Sequence, residues 1–194
     1  MKRYGILGGT FDPPHIAHSI IAEDVRDQLN LDKVIFIPSG NPPLKNSISA
    51  EHRLAMAKLA FGDNEIFEVS EIEIKNSEEK SYTVNTLTEL TEIHKSEPAE
   101  FYFIIGLDNL INLPKWKEPD RLFELANIIV INRPEFDLKN VKEDYLKKVK
   151  FINVPDMEIS SSMLRERISA GKSVKYMVTD EVEEYIRSNQ LYKS

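Results

Sequence analysis

The 194-residue sequence predicts an α/β fold, a Rossmann-like doubly wound parallel sheet with helices on both faces and a small C-terminal helical part. Three observations predict it. Short apolar runs alternate with helically spaced patterns from end to end. Two of the runs, FYFII (Phe101–Ile105) and IIVIN (Ile128–Asn132), are continuously apolar, as strands covered on both faces must be. A glycine pair, Gly8-Gly9, closes the first run and leads into a helix, the turn at which such sheets bind nucleotides.

The elements follow in order. Arg3–Leu7 is a short strand, and Ile21, Ala22, Val25 and Leu29 recur at helical spacing after a start near Pro14 or His15. Val34–Pro38 is the second strand, and Ser39–Ser49 is turn chemistry, too polar for a core. Ser49 caps a helix with Glu51 in its first turn and Leu54, Ala57 and Phe61 on its apolar face. Ile66–Ile74 alternates apolar with polar and reads as a half-buried strand, and Thr83–Ile93 returns to helical spacing. Beyond Ile105 come two short helical patterns, LDNLINL and PDRLFELA, separated by Pro114-Lys115-Trp116. Glu135–Val149 reads as a charged loop plus a surface helix, with no function attached. Lys150–Val154 is the last strand, followed by the helices SSMLRERISAG and TDEVEEYIRSN.

No repeat, low-complexity tract or linker divides the chain, so residues 1–194 are expected to form one domain. There is no cysteine, which excludes disulfides, thiolate metal sites and thiol catalysis, and suits a reducing cytoplasm. The start Met1-Lys2-Arg3 precedes no signal-peptide core, because Asp12, Pro13 and Pro14 interrupt the apolar run; no stretch is apolar enough to span a bilayer. Twenty-five Lys and Arg against 32 Asp and Glu give a net charge of −7. That balance argues against a nucleic-acid polymer, while leaving room for a small phosphorylated ligand held by local cations.

The chemistry concentrates in GGTFDPPHIAH, Gly8 to His18, which holds two of the four histidines. Glycines let backbone N–H groups approach phosphate oxygens, and a helix N-terminus adds positive potential. Histidines at i and i+3 share one face of the first turn and can donate to the same anion. Metal ligation would need a third ligand that no cysteine or H-E-x-x-H pattern supplies; a capping or core role is the plainer alternative. The stretch matches neither G-x-G-x-x-G nor G-x-x-x-x-G-K-[ST]. A second anion feature lies in ISSSMLRERI, where Ser160, Ser161 and Ser162 offer caps and hydroxyls. Arg165 and Arg167 stand in the first turns of that helix, where cations oppose its dipole unless an anion is near.

Together these motifs resemble the nucleotidyltransferase superfamily, marked by a [GT]-x-x-H-x-G-H-like element after the first strand and I-S-S-[ST]-x-x-R late in the chain. Over its whole length the chain is similar to that superfamily's nicotinate mononucleotide adenylyltransferases, through GGTFDPPHIAH, NPPLK, SYTVNTL, IIGLDNLINLPKW, NRP, ISSSMLRERI and EVEEYIRSNQLY. The resemblance implies adenylyl transfer from ATP to nicotinate mononucleotide, yielding nicotinate adenine dinucleotide and pyrophosphate, without a covalent intermediate. It implies Mg²⁺ held by phosphates and water, with no protein side chain as a metal ligand. His18 is then the α-phosphate contact, His15 its neighbour on the phosphates, and Arg165 the third catalytic group. Gly8, Gly9, Thr10, Phe11, Ser161 and Ser162 complete the phosphate site, while Gly106 and Asp108 line the adenosine pocket. Asn41, Lys45, Tyr82, Thr83, Trp116 and Arg133 fall to nicotinate mononucleotide: Lys45 on its phosphate, Trp116 on the pyridine ring, Tyr82 and Thr83 at the carboxylate through a backbone N–H.

Departures from the family pattern are Ala17 between the histidines, Leu107 and Asn109 around Asp108, and Thr179 where proline is frequent. Transfer to nicotinamide mononucleotide or phosphopantetheine, and a non-catalytic nucleotide sensor, are the competing readings. A homo-oligomer is left open.

Overall fold

The computed structural model describes residues 1–42, 47–75, 80–132 and 138–193. Among them, β1 (Lys2–Gly9), β2 (Lys33–Pro38), β3 (Phe67–Val69), β4 (Ala99–Gly106), β5 (Asn127–Asn132) and β6 (Lys150–Asn153) pair in parallel in the order β3-β2-β1-β4-β5-β6. The helices are α1 (Ile16–Leu29), α2 (Ala50–Phe61), α3 (Thr83–Ile93), α4 (Leu107–Asn112), α5 (Pro119–Leu125), α6 (Glu143–Leu146), α7 (Ser161–Ser169) and α8 (Asp180–Ser188).

Strand alternation sorts the apolar side chains into two layers. Ile6 lies opposite Ile35 and Phe103, and Phe103 opposite Ile128. This face packs against Leu87 and Leu90 of α3, Leu110 of α4 and Leu122 of α5. Leu7 lies opposite Phe36, and Ile104 opposite Ile129, on the other face, covered by Ala22, Val25 and Leu29 of α1 and Ala57 and Phe61 of α2. The continuous apolar character of Phe101–Ile105 therefore has the expected cause: each successive residue enters a different core. A third cluster joins Met56 of α2 to Leu164 of α7 and to Val182 and Ile186 of α8, which is the C-terminal helical part.

Two expectations need correcting. Ile66–Ile74 is not a strand throughout; β3 ends at Val69. The Ser70 hydroxyl accepts from the Ile72 N–H at 3.3 Å, and the Glu71 carbonyl accepts from Ile74 and Lys75. Local side-chain bonding thus offers the backbone a turn in place of the ladder, which lets Ile72 reach the α3 core. In Glu135–Val149, residues 135–137 lie outside the described part; in the remainder, Val141 and Tyr145 are buried in the first core, so this helix is not simply a surface one.

Phe36 is the pivot of the second core. Its ring stacks on Phe61 (3.8 Å between centroids, 10° between planes) and meets Phe67 and Phe11 edge-on. Truncating such a ring removes its transfer free energy and leaves a cavity. Phe36→Ala should lower unfolding free energy by about 3–5 kcal/mol, read as a reduced urea midpoint at unchanged slope.

Candidate active site

At the carboxyl edge of the sheet β1 and β4 run on beyond their last paired rung, Ile6–Phe103, to Gly9 and Gly106; the strand order reverses between them, the kind of place where open α/β sheets bind ligands. The loop from Gly9 to His15 follows β1 at that edge. Phe11 takes φ 50° and turns its ring into the second core, edge-on to Phe36, Phe61 and His18. That ring packs tightly on Gly9: a Cβ there would stand 3.0 Å from it, so the ring would have to shift by a few tenths of an ångström. Gly8, exposed, has no such conflict.

The loop is held from behind. The Thr10 carbonyl accepts from Arg53 Nη1 (3.1 Å), the Asp12 carbonyl from Arg165 Nη1 (2.7 Å) and the Pro13 carbonyl from the Ser161 hydroxyl (2.8 Å). The Asp12 carboxylate accepts from the Tyr192 hydroxyl at 2.6 Å, and the Ile16 N–H donates to the Met177 carbonyl at 3.0 Å. The two sequence-predicted anion features are therefore in contact across 153 residues of chain. Ser161 spends its hydroxyl proton on the loop, while Ser160 caps α7 by accepting from the Met163 N–H. Ser162, exposed, lies 3.3 Å from the Ser160 hydroxyl.

His15 is the N-cap of α1 and His18 the last residue of its first turn. Their rings stack at 3.7 Å, and the His15 N–H donates to His18 Nδ1 at 3.2 Å. That bond fixes the neutral His18 tautomer, with its proton on Nε2. His15 is 8% exposed and its Nδ1 has no partner among the described residues. The two side chains face each other's backbone N–H groups in a reciprocal capping box. Burial pushes the His15 imidazole down to about 4; burial, then the neighbouring His15, pushes His18 down to about 3. Both are neutral donors at neutral pH. Arg167 donates to the Ser173 carbonyl and stays clear of the loop.

On the β4 side, Gly106 is the N-cap of α4, and a Cβ on it would fall 2.5 Å from Asp108 Oδ1. The Asp108 carboxylate thus folds back over the end of β4, itself exposed. Leu107 is buried in the core and Asn109 exposed, so the first of these departures is a packing position. Ala17 is also buried, and Thr179 caps α8 through its hydroxyl, doing at the helix start what proline would do by its fixed φ.

Of the residues the sequence assigned to nicotinate mononucleotide, Asn41, Tyr82, Thr83 and Trp116 are described. Asn41 and Ser81 exchange two bonds, Ser81 N–H to Asn41 carbonyl (3.0 Å) and Asn41 N–H to Ser81 hydroxyl (3.1 Å). Tyr82 is the N-cap and Thr83 the first residue of α3. Trp116 is half-buried, tilted edge-on to Phe103 at 6.3 Å. Its neighbour Lys117 sits over the Tyr82 ring at 5.0 Å and donates to Asn85. Lys45 and Arg133 lie outside the described residues.

Sequence reasoning missed Arg53, Glu73 and Tyr192. Arg53 carried a signal: one cation on the stripe of α2 otherwise formed by buried Ala50, Met56, Ala57 and Phe61. Glu73 and Tyr192 carried none.

The histidines make a stability prediction. Their folded values lie below the ordinary 6.5, so between 6.5 and about 4 the unfolded chain binds more protons. Their contribution is therefore full above pH 6.5 and is lost as pH falls. His15→Asn and His18→Asn should each flatten the acid-side decline in unfolding free energy, by up to about 1.4 kcal/mol per pH unit. Superimposable urea profiles for variants and wild type from pH 7.5 to 4.5 would contradict these values.

The cytidylyltransferase-like family profile matches residues 6–167. A "probable nicotinate-nucleotide adenylyltransferase" of Oceanobacillus iheyensis is 42% identical over 194 residues, covering 99% of this chain and 97% of its own. One from Roseiflexus sp. (strain RS-1) is 44% identical over 197 residues, covering 97% of each. Among solved structures, Plasmodium falciparum nicotinic acid mononucleotide adenylyltransferase complexed with NaAD superposes with a TM-score of 0.81 at 24% identity, covering 99% of this chain and 98% of that one. The fold order, the paired histidines and the full-length similarity agree: this chain belongs to the cytidylyltransferase-like family and, within it, to the nicotinate-nucleotide adenylyltransferases.

Proposed function

We propose that this chain transfers the adenylyl group of ATP to the phosphate of nicotinate mononucleotide, giving nicotinate adenine dinucleotide and pyrophosphate in NAD biosynthesis. Beside the family membership, the observation that carries this reading is the stacked, neutral histidine pair at the N-terminus of α1. Histidines in that state donate to phosphate oxygens.

The nucleophile is an oxygen of the acceptor's phosphate monoester, whose second pKa near 6 leaves it ionised at neutral pH. It attacks the α-phosphorus; the bond from that phosphorus to the bridging oxygen breaks, and the electron pair leaves with pyrophosphate. No general base is required. The enzyme's work is alignment and stabilisation of charge on the α-phosphate and the leaving group. His18 Nε2–H donates to the α-phosphate, and His15 supports the oxygens beside it. Gly8, Gly9, Thr10 and Phe11 supply the backbone cradle. Arg165, with the α7 terminus at Ser161 and Ser162, takes the β- and γ-phosphates. Gly106 and Asp108 hold the adenosine, Asp108 on a ribose hydroxyl. Asn41, Lys45 and Arg133 serve the acceptor's phosphate side, and Tyr82, Thr83 and Trp116 its nicotinate ring. A divalent cation, which we take to be Mg²⁺, enters with ATP as part of the substrate; the groups around the loop are N–H donors and cations, suited to phosphate oxygens.

Residues 1–194 act as one catalytic domain in this reading, in the cytoplasm and on small molecules. The absence of cysteine and the net charge of −7 support that placement and weigh against a nucleic-acid partner. Among the described residues no helix is long and apolar enough to cross a membrane.

Pyrophosphate release with ATP, Mg²⁺ and nicotinate mononucleotide, nicotinamide mononucleotide or phosphopantetheine offered separately tests the reaction. Release with the nicotinate acceptor is expected, and silence with it defeats the proposal. His18→Ala should lower turnover by roughly 10²–10³-fold, as loss of one transition-state donor does, while the Kd for ATP changes far less. Near-normal turnover in that variant would remove His18 from the mechanism. Gly106→Ala should leave stability within about 0.5 kcal/mol of wild type, yet raise the KM for ATP several-fold by displacing the Asp108 carboxylate. An unchanged KM would separate Asp108 from nucleotide binding.

A further inference from the structure

Arg53 is 1% exposed and forms no ion pair among the described residues. Its guanidinium instead serves four carbonyls: Nε donates to Ile48 (3.1 Å), Nη1 to Thr10 (3.1 Å) and to Ser39, and Nη2 to Gly40 (2.8 Å). Burying a cation costs several kcal/mol, and an apolar residue of similar volume would give a more economical core. The placement of its partners accounts for it.

The β1–β2 ladder runs to Gly9–Pro38, and the Ser39 N–H then donates to the Gly9 carbonyl at 2.9 Å. Past that point the two chains part, one toward the histidines, the other toward Asn41. The next two carbonyls, Thr10 and Ser39, converge on the same nitrogen of Arg53. The planar fork extends the pairing by one rung beyond the sheet edge, where the strands have become loops.

Those loops belong to two separately braced halves. One is the Gly8–His18 loop, held by Arg165, Ser161 and Tyr192. The other is built on the half-buried Glu73, which accepts from the Thr86 hydroxyl at 2.7 Å and interacts favourably with Ser81 and Gly40, and on the Asn41–Ser81 exchange. It ties Gly40 and Asn41 to the start of α3. Arg53 touches both halves.

We infer that Arg53 is a positioning residue for adenylyl transfer: it sets the spacing between the ATP half and the acceptor half of the site, and so the in-line geometry of the ternary complex. The inference rests on the assignment of those two halves to ATP and to nicotinate mononucleotide. Lysine cannot replace a planar fork that serves three chain segments, whereas each half keeps its own braces without Arg53.

The test compares Arg53→Lys with Glu73→Gln in the full-length enzyme, after wild-type turnover has confirmed the reaction. Kinetics are normalised to the sites that bind ATP by calorimetry. For Arg53→Lys, kcat should fall on the order of 10²-fold, as misplacement by about 1 Å produces. The separate Kd values for ATP and for nicotinate mononucleotide should stay within about threefold, a change too small to reflect a lost contact. For Glu73→Gln the split reverses, with acceptor KM raised roughly tenfold by the weakened charged hydrogen bonds and kcat near wild type. An unchanged kcat per folded Arg53→Lys site, or binary affinities falling as far as kcat, overturns the inference. If Arg53→Lys does not fold, Glu73→Gln still decides: a fall in kcat at unchanged acceptor KM refutes the two-half arrangement. Wild-type silence with nicotinate mononucleotide defeats the functional reading instead.

Discussion

The loop after β1 can receive an anion because its carbonyl oxygens are occupied from behind. In a trans peptide the C=O and the following N–H point in opposite directions. Pinning the Thr10 carbonyl on Arg53 therefore sends the Phe11 N–H the other way. The Asp12 and Pro13 carbonyls are pinned on Arg165 and Ser161, and the residues after them, Pro13 and Pro14, have no N–H to misdirect. Much of the remaining architecture supplies these donors: α2 brings Arg53, α7 brings Ser161 and Arg165, and the segment after α8 brings Tyr192.

The loop is also fastened to the hydrophobic core through Phe11. A non-glycine residue at φ 50° costs about 1–3 kcal/mol, a cost offset by burying a phenyl ring among Phe36, Phe61 and His18. The same contact orients the His18 imidazole, whose other face stacks on His15. Strain, packing and site geometry meet in one residue. The core that Phe36 organises thus reaches the His18 imidazole through two ring contacts.

The fold was legible because both of its signals are local. FYFII and IIVIN announce strands buried on two faces, and the helical spacing of Ala22, Val25 and Leu29 is the face that α1 buries. The strand expected over Ile66–Ile74 failed where Ser70 and Glu71 made local bonds that alternation does not encode. At the site, the histidine pair and the serine–arginine motif were legible as residue types, and their contact through Asp12 and Pro13 was not. The bracing escaped for the same reason. Tyr192 reaches Asp12 over 180 residues of chain, and Glu73 reaches Thr86 only after the turn that replaced the expected strand. Arg53 alone had a local trace, a charge on an apolar stripe.

A site of this kind places its chemistry in geometry more than in reactive groups. The substrate brings its own nucleophile and its own leaving group, so protein residues contribute by being fixed before the phosphates arrive. Neutral histidines suit that task in a chain with a net charge of −7. Their polarity is local, it needs no counter-ion, and its direction is set by the bond from the His15 N–H to His18 Nδ1. Two arginines, Arg53 buried and Arg165 half-buried, serve the same end. Arg53 and Arg165 both spend N–H groups on backbone carbonyls, so their charge raises the potential under the loop while their bonds hold its shape. An ion pair in either place would cancel the first effect and keep only the second.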